Sequence, residues 1–137
     1  MRVADIMSRG VVTVGVDQDV FSVCKLFDEH GFHHVLVIDR GQLVGVISDR
    51  DVLREASPFI GTLAERPQDV ATLKKRVHQI MSRHVVVTRG DDSVADAAAA
   101  MLDHGVSCLP VVTAEGSVEG VVTWKDLLRA LIRKDGT

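Results

Sequence analysis

Apolar positions along the chain follow two different periods, and each period occurs in both halves of the sequence. Short runs rich in Val, Ile and Leu, such as 33–38 and 43–48, have the length and composition of buried strands. Other segments place apolar residues at helical spacing, such as the one that Asp19 can cap and that ends before Gly31, a typical helix stop. The pattern predicts strands and helices that alternate along the chain.

Each half of the chain is predicted to form five elements in the order strand, helix, strand, strand, helix. In the first half the strands cover 11–14, 33–38 and 43–48, and the helices cover 20–30 and 49–56. In the second half the strands cover 85–87, 107–112 and 118–123, and the helices cover 94–104 and 124–133. A further helix is predicted over 73–81, and Ser93 and Asp96 have the spacing of a capping box.

The two halves are copies of one sequence unit. Ile6-Met7-Ser8-Arg9 recurs as Ile80-Met81-Ser82-Arg83, an offset of 74 that gives thirteen identities over residues 2–38. One extra residue in a predicted turn of the second copy changes the offset to 75, and the identities then continue to Arg54 and Arg129. So many matches with a single gap indicate a duplication.

The repeat divides the chain into residues 1–56, an ordered connector over 57–72 and residues 73–137. A single copy has three strands and two helices, which is too little to cover both faces of its sheet. We therefore expect an α/β (α+β) fold. In it, two β-α-β-β-α units pack with pseudo-two-fold symmetry as one composite domain.

Composition and charge exclude several classes of protein. Of the 137 residues, 46% are apolar, 26% are charged and only 4% are aromatic, which predicts a globular domain with an aliphatic core. The net charge of −3 does not favour nucleic acid, because phosphate-backbone binding needs a clustered basic surface. The sequence has no long apolar run and no signal-peptide pattern, so we expect a cytoplasmic protein that does not contact a membrane.

The most informative chemistry lies where the last strand of each copy ends. The segments 45–51 and 120–126 both run from an apolar strand into a hydroxyl residue and have an Asp three positions later. The hydroxyl is expected beside free N–H groups at a helix start, where an anion is favoured. The Asp can accept two hydrogen bonds from a diol such as ribose, and Arg50 and Lys125 can supply positive charge to a phosphate.

Other interpretations of these residues remain open. The hydroxyl residues can simply cap helices while each Asp complements the helix dipole, although recurrence in both copies favours a ligand site. His30, His33 and His34 suggest a metal site, but neighbouring residues of a strand point to opposite faces, which disfavours a shared ion. Cys24 and Cys108 are expected to be buried apolar side chains and not a disulfide.

The order of these motifs resembles the CBS domain, and their duplication resembles a CBS pair, or Bateman module. The resemblance covers residues 3–54 and 77–132. Each copy has Ile-Met-Ser-x-x-Val-Val, then a helix ending in His-Gly, then Gly-h-h-Ser/Thr-x-x-Asp, where h is apolar. The segment 108–112 matches the family's apolar-Pro-Val-Val strand, whereas Leu36 replaces the proline in the first copy.

The resemblance implies one pocket for an adenosine derivative in each copy. It assigns the ribose contacts to Asp51 and Asp126 and the phosphate contacts to Ser48 and Thr123, to which the charges of Arg50 and Lys125 are added. The adenine pockets would be lined by Val11, Val12, His34, Val35 and Leu36 in the first copy, and by Val85, Val86, Cys108, Leu109 and Pro110 in the second.

We therefore expect a stand-alone regulatory module that transmits ligand binding to an unidentified partner protein. The candidate ligands are AMP, ADP, ATP, S-adenosylmethionine and NAD, and no cofactor is required. No nucleophile–base pair or phosphate-binding loop is recognisable, so catalysis is not expected. The apolar and small residues of helices 20–30 and 94–104 predict a homodimer. A structural oligomerisation module with empty sites is the alternative, and an enzyme is a third possibility.

Overall fold

The computed structural model describes residues 1–55 and 74–136, with side chains to residue 134. The helices are α1 (Val3–Ile6), α2 (Val20–His30), α3 (Asp49–Glu55), α4 (Val77–Ile80), α5 (Val94–His104) and α6 (Trp124–Gly136). The strands are β1 (Thr13–Gly15), β2 (His34–Asp39), β3 (Gln42–Ser48), β4 (Cys108–Val112) and β5 (Val118–Thr123). The predicted mixture of helices and small sheets in two tandem units is confirmed.

The chain forms two compact units whose limits differ from those of the sequence repeats. The N-terminal unit contains Val12–Arg40 and Val44–Val85, and the C-terminal unit contains Met1–Val11, Gly41–Leu43 and the chain from Val86 onward. Each unit therefore includes the segment with which the other copy of the repeat begins. We call these segments, 2–8 and 76–82, the lead-in segments. The predicted limits at 56 and 73 do not reveal this exchange.

In the N-terminal unit, α2 lies beside a sheet with the strand order β1-β2-β3, in which β1 is parallel to β2. The Asp19 carboxylate caps α2 by accepting the Ser22 N–H at 2.8 Å, and Gly31 ends the helix with a left-handed φ of 68°. The side-chain and backbone hydrogen bonds from Ser22 hold the pKa of Asp19 below its ordinary value. The core consists mainly of valine: Val14, Val20, Val23, Val35, Val37, Ile47, Val52, Val77, Ile80 and Met81.

The C-terminal unit is built on the antiparallel pair β4–β5, with α5 and α6 in contact with it. Ser93 Oγ accepts the Asp96 N–H at 3.0 Å, which is the predicted serine cap of α5, and Gly105 ends that helix with a φ of 64°. The core residues of this unit are Val3, Ala97, Met101, Leu109, Val111 and Val122.

Each lead-in segment pairs with the last strand of its unit at a glycine. Ser82 and Val46 exchange two backbone hydrogen bonds of 2.8 and 3.0 Å, and a Cβ on Gly45 would lie 2.7 Å from Met81 Sδ. The other lead-in segment makes the same backbone pairing, between Ser8 and Val121, beside Gly120. Because any side chain at these glycines would overlap the lead-in segment, the glycines allow the close approach of the two backbones.

Ser8 and Val121 exchange two backbone hydrogen bonds of 2.8 and 2.9 Å. A Cβ on Gly120 would lie 2.6 Å from the Ser8 carbonyl oxygen and 3.0 Å from Met7 Sδ. The recurring Ile-Met-Ser and Gly-h-h motifs are thus packing partners in both units.

Two predicted strands differ from the structure: one is absent and the other has different limits. Residues 85–87 form no strand, and the next residue, Thr88, makes an isolated bridge to Val111 of β4. Pro110 has no N–H to donate and occupies the position at which Leu36 pairs with Thr13 in the other unit, so the parallel pairing is not extended. In the first copy the strand runs over Thr13–Gly15 and not over 11–14.

The helix predicted over 73–81 is reduced to α4. Arg76 has an extended backbone, with φ −85° and ψ 153°, and bridges to Asp19, so the described residues before it are not helical. The predicted ordered connector over 57–72 lies outside the described residues, as do Ala56 and Leu73 at the ends of two predicted helices.

The glycine contacts make a stability prediction. Gly45→Ala and Gly120→Ala should each lower the free energy of unfolding by about 1–3 kcal/mol, because the added methyl group overlaps a packed lead-in segment. Chemical denaturation monitored by circular dichroism measures the change. Gly10→Ala is the control, since a Cβ there meets no atom within 4 Å and should shift stability by less than about 0.5 kcal/mol. Equal midpoints for all three variants would refute the proposed role of the contacts.

Candidate functional site

In the N-terminal unit, Ser48 and Asp51 form a closed set of hydrogen bonds where β3 meets α3. The Asp51 Oδ2 accepts the Ser48 N–H at 2.8 Å and the Ser48 hydroxyl at 3.0 Å. In return, Ser48 Oγ accepts the Asp51 N–H at 3.1 Å. This is a reciprocal capping box in which Asp takes the place of Glu. The predicted capping role of Ser48 is therefore present in the structure.

The C-terminal unit repeats the same arrangement where β5 meets α6. The Asp126 Oδ2 accepts the Thr123 N–H at 2.8 Å and the Thr123 hydroxyl at 3.1 Å, and Thr123 Oγ1 accepts the Asp126 N–H at 3.4 Å. The two hydroxyl–carboxylate boxes thus have the same bonds in both copies.

An arginine one turn further along the helix occupies the second oxygen of each carboxylate. Arg54 Nη2 donates to Asp51 Oδ1 at 2.7 Å, and Arg129 Nη1 donates to Asp126 Oδ1 at 3.4 Å. The Asp side chains are only 12% and 14% exposed, whereas the arginine side chains are mostly exposed. These partners were not predicted from the sequence, although an Arg three residues after each Asp was the available signal.

One basic residue lies between the hydroxyl residue and the Asp of each box. Arg50 and Lys125, predicted to serve a phosphate, are both exposed. The Lys125 Nζ lies 5.8 Å from the centre of the Trp124 ring, in cation–π range. Arg50 and Lys125 thus present exposed charges in the first turns of α3 and α6.

A histidine–carboxylate pair lies at the start of α3. His33 Nδ1 and Asp49 Oδ2 are 3.0 Å apart, and this hydrogen bond holds the pKa of Asp49 below its ordinary value. Burial lowers the pKa of the neighbouring His34. In the C-terminal unit the corresponding residues are Ser107 and Trp124, joined by a backbone hydrogen bond of 3.1 Å. The two units therefore share the box but not this pair.

The predicted adenine-pocket residues are divided between the two units. Val12, His34, Val35 and Leu36 lie in the N-terminal unit with Ser48, Arg50 and Asp51, and Val86, Cys108, Leu109 and Pro110 lie in the C-terminal unit with Thr123, Lys125 and Asp126. Val11, predicted to line the first copy's pocket, belongs to the C-terminal unit, and Val85, predicted to line the second copy's pocket, belongs to the N-terminal unit. Since Val35, Leu36, Leu109 and Pro110 are buried, a ligand would contact the backbone of their strands.

Cys108 lies at the start of β4, close enough to Asp126 to feel its charge. Burial, with a further contribution from the Asp126 carboxylate, raises the pKa of the Cys108 thiol to about 11. Burial likewise raises the pKa of Cys24. Both thiols are therefore protonated at neutral pH.

Two of the histidines that suggested a shared metal site, His30 and His33, contact other side chains in the structure. The His30 ring stacks on Phe32 with centroids 5.0 Å apart, and His33 faces Asp49. Over the described residues, no group of three or more His, Cys, Asp or Glu side chains has an arrangement that could hold a metal ion. Within the same residues, none of the helices has the length and apolar character needed to span a bilayer.

Known proteins share both the sequence pattern and the fold. The CBS domain family matches the chain twice, at residues 3–58 and 77–133. An uncharacterized protein of Methanocaldococcus jannaschii is 32% identical over 96% of this chain and 92% of its own length. Against two other relatives from that organism, the chain spans only 45% and 22% of their lengths.

Two solved structures with bound adenosine compounds are similar over nearly the whole chain. CBSX2 in complex with AMP has a TM-score of 0.82 and 28% identity, with 98% of each chain covered. The CBS domain pair of protein MJ0100, in complex with 5′-methylthioadenosine and S-adenosyl-L-methionine, has a TM-score of 0.78 and 27% identity, again over 98% of each chain. From its two matched copies and this fold, the chain belongs to the CBS domain family and contains a pair of CBS repeats.

Proposed function

We propose that this chain is a regulatory module that binds an adenosine derivative in each unit, passes the binding to a partner protein and has no catalysis of its own. One observation carries the proposal: the same hydroxyl–carboxylate box, with a largely buried Asp, follows the last strand of both units. Adenosine is the common part of AMP, 5′-methylthioadenosine and S-adenosyl-L-methionine, the ligands of the two similar structures.

Each carboxylate retains capacity for a ribose diol. A carboxylate has about four lone-pair sites. At Asp51, two are used by the N–H and hydroxyl of Ser48 and one by Arg54. One ribose hydroxyl can bond to the remaining site, and a second can bond if Arg54 leaves. The ribose hydroxyl then replaces Arg54 as the partner of Asp51, and the Arg54 side chain, which is 74% exposed, can remain in water.

The released arginine gives the site a way to recognise phosphate. Arg54 and Arg129 are long, exposed and anchored one helical turn from the carboxylate. A guanidinium that leaves the Asp can pair with a phosphate of the ligand, since it binds phosphate oxygens through two donors. Arg50 and Lys125 add charge at the same helix starts. This arrangement supports AMP, ADP or ATP as ligands, with S-adenosylmethionine and NAD as the other adenosine derivatives to test.

The helix that carries Asp126 also supports the transmission of binding. Along α6, Trp124, Leu128, Leu131 and Ile132 are exposed apolar residues at spacings of four, seven and eight, which places them on one face. An exposed apolar face of this kind marks a protein-interaction surface. A change at Asp126 therefore acts on the same helix that offers a surface to a partner.

A structural module is the second candidate function. In the unliganded chain the boxes cap α3 and α6, and all their bonds are made without a ligand. An oligomerisation module would need nothing further from these residues. Ligand binding distinguishes the two candidates.

Our binding prediction concerns Asp51 and Asp126. At a hundredfold excess over its dissociation constant, a true ligand should stabilise the protein by about 2.7 kcal/mol, a rise of several degrees in Tm. Asp51→Ala and Asp126→Ala should each weaken one site by about ten- to a hundredfold, since hydrogen bonds to a charged group contribute about 1.5–3 kcal/mol. Thermal shift with AMP, ADP, ATP, S-adenosylmethionine and NAD, followed by titration calorimetry, measures both effects.

Asp39→Ala removes an exposed carboxylate at the far end of β2 and is the control for net charge. The two site variants should also lose about 1 kcal/mol of stability, because each removes half of a capping box. If no compound moves the Tm, the structural module is the better description. Ligand binding that survives in the Asp51→Ala, Asp126→Ala double variant would place the ligand elsewhere. Steady turnover of a nucleotide would instead indicate an enzyme.

The second prediction uses Cys108 as a reporter of the C-terminal site. In a Cys24→Ser background, alkylation by iodoacetamide at pH 8.5 should be about tenfold slower than that of a free thiol, because the raised pKa leaves little thiolate. Bound AMP should slow the reaction further, since Cys108 begins the strand assigned to adenine. Mass spectrometry gives the rates. A rate equal to that of glutathione would contradict the burial of this thiol, and a rate unaffected by bound AMP would contradict its place in the pocket.

The third prediction is a homodimer formed through α2 and α5. Phe21 on α2 and Leu102 on α5 are exposed, Leu102 by 84%, which gives each helix an exposed apolar side chain. Light scattering should return about twice the chain mass of 14.9 kDa. Leu102→Glu should shift the mass towards the monomer, whereas Leu53→Glu, at an exposed leucine of α3, should not. A wild-type mass near 14.9 kDa would reject the dimer.

A further inference from the structure

The C-terminal unit contains an open cavity away from the hydroxyl–carboxylate box. Its volume is about 420 Å³, and it is lined by Arg2, Ala4, Arg89, Gly90, Asp91 and Glu119 together with the last residue of β4 and the two that follow it. Cys108 and Thr123 lie at the opposite ends of β4 and β5 from this cavity. At about 3.3 Å per residue, roughly 13 Å of strand separates the two places. The cavity is therefore a separate site on the same sheet.

The repeat supplies an internal comparison, because the corresponding place in the N-terminal unit is differently occupied. There, Arg76 Nη1 donates to the Asp17 carbonyl oxygen at 2.7 Å, and His78 Nε2 lies 4.0 Å from Asp17 Oδ1. The offset of 74 places Arg2 and Asp91 at the positions of Arg76 and Asp17.

Two small residues account for the open space in the C-terminal unit. Ala4 stands at the position of His78, and Gly90 stands at the position of Val16, whose side chain packs against the core of its unit. A Cβ on Gly90 would lie 3.5 Å from Ala4 Cβ and 3.9 Å from Glu119 Oε1, so these three residues are neighbours in the wall. The imidazole and the valine side chain present in one unit are thus absent from the other.

The cavity also carries charges that the other unit lacks. Arg89 and Glu119 stand at the positions of Gly15 and Val44. Among the described residues, no ion pair engages Arg2, Arg89, Asp91 or Glu119. Two guanidinium groups and two carboxylates therefore line one cavity without neutralising one another.

We propose that this cavity binds a small zwitterion of the size of an α-amino acid. Its carboxylate is held by Arg2 and Arg89, which match a carboxylate through paired N–H donors. Its ammonium group is held by Asp91 and Glu119. A simple anion would meet the two carboxylates and a simple cation the two guanidinium groups, whereas a zwitterion satisfies both. The volume lies in the range of small-molecule sites and leaves room for a side chain beside Ala4, Val112 and Ala114.

The test is a titration of the ¹⁵N-labelled full chain with the standard α-amino acids, followed by NMR. At least one should bind with a low-millimolar or tighter Kd and shift the amide signals of Gly90, Thr113 and Ala114. Its N-acetyl derivative lacks the ammonium charge and its amide lacks the carboxylate, so each should bind at least tenfold more weakly. Arg89→Ala should weaken binding by a similar factor.

Two variants borrow the residues of the other unit, which the fold already accepts there. Glu119→Val removes one carboxylate, and Ala4→His places an imidazole beside Asp91; both should abolish the shifts. Asp103→Asn, on an exposed position of α5, is the charge control and should leave them unchanged. Glu119→Val should also leave the affinity for AMP unchanged, so failure of this site is distinguishable from failure of the adenosine sites. Absence of shifts with every amino acid, or equal binding of the N-acetyl derivative, would overturn the proposal.

Discussion

The exchange of lead-in segments is the constraint on which both units depend. Val77 is fully buried in the core beside the first copy's sheet, and Val3 is fully buried in the core beside the second's. Each copy therefore lacks part of its own hydrophobic core and part of its backbone pairing. A lone repeat would leave the edge of its last strand unpaired at Gly45 or Gly120, so each unit is completed by a segment from the other copy of the repeat.

The hydroxyl–carboxylate boxes perform a structural task in a form that a ligand can share. Every described buried side-chain polar atom has a hydrogen-bond partner, so the chain itself satisfies the buried atoms of Asp51 and Asp126. The inner oxygen of each carboxylate is fixed by the chain, while the outer one faces an exposed arginine. In the binding that we propose, hydrogen bonds to the ligand replace the contact with this arginine, while the bonds that cap the helix start are kept.

What could be predicted from the sequence was set by local interactions. The limits of α2 and α5 follow from Asp19 and Gly31 in one case and from Ser93 and Gly105 in the other, all of which act within one helical turn. The predicted limits of an element were wrong where they depend on pairing with a residue that is distant in the sequence. The strand at 85–87 depended on pairing with a strand that contains Pro110, and the shortened α4 depends on the bridge between Arg76 and Asp19.

The same division applies to the candidate sites. Ser48, Asp51 and their counterparts were recognisable because the sequence repeats them, and Arg54 and Arg129 could have been found in the same way. The contact between His33 and Asp49 spans sixteen positions and has no counterpart to reveal it. At the corresponding place Trp124 keeps only the backbone bond, which Asp49 also makes to His33 at 3.0 Å. The two units thus share the backbone contact at this place, while the differing side chains give each unit its own charge and shape there.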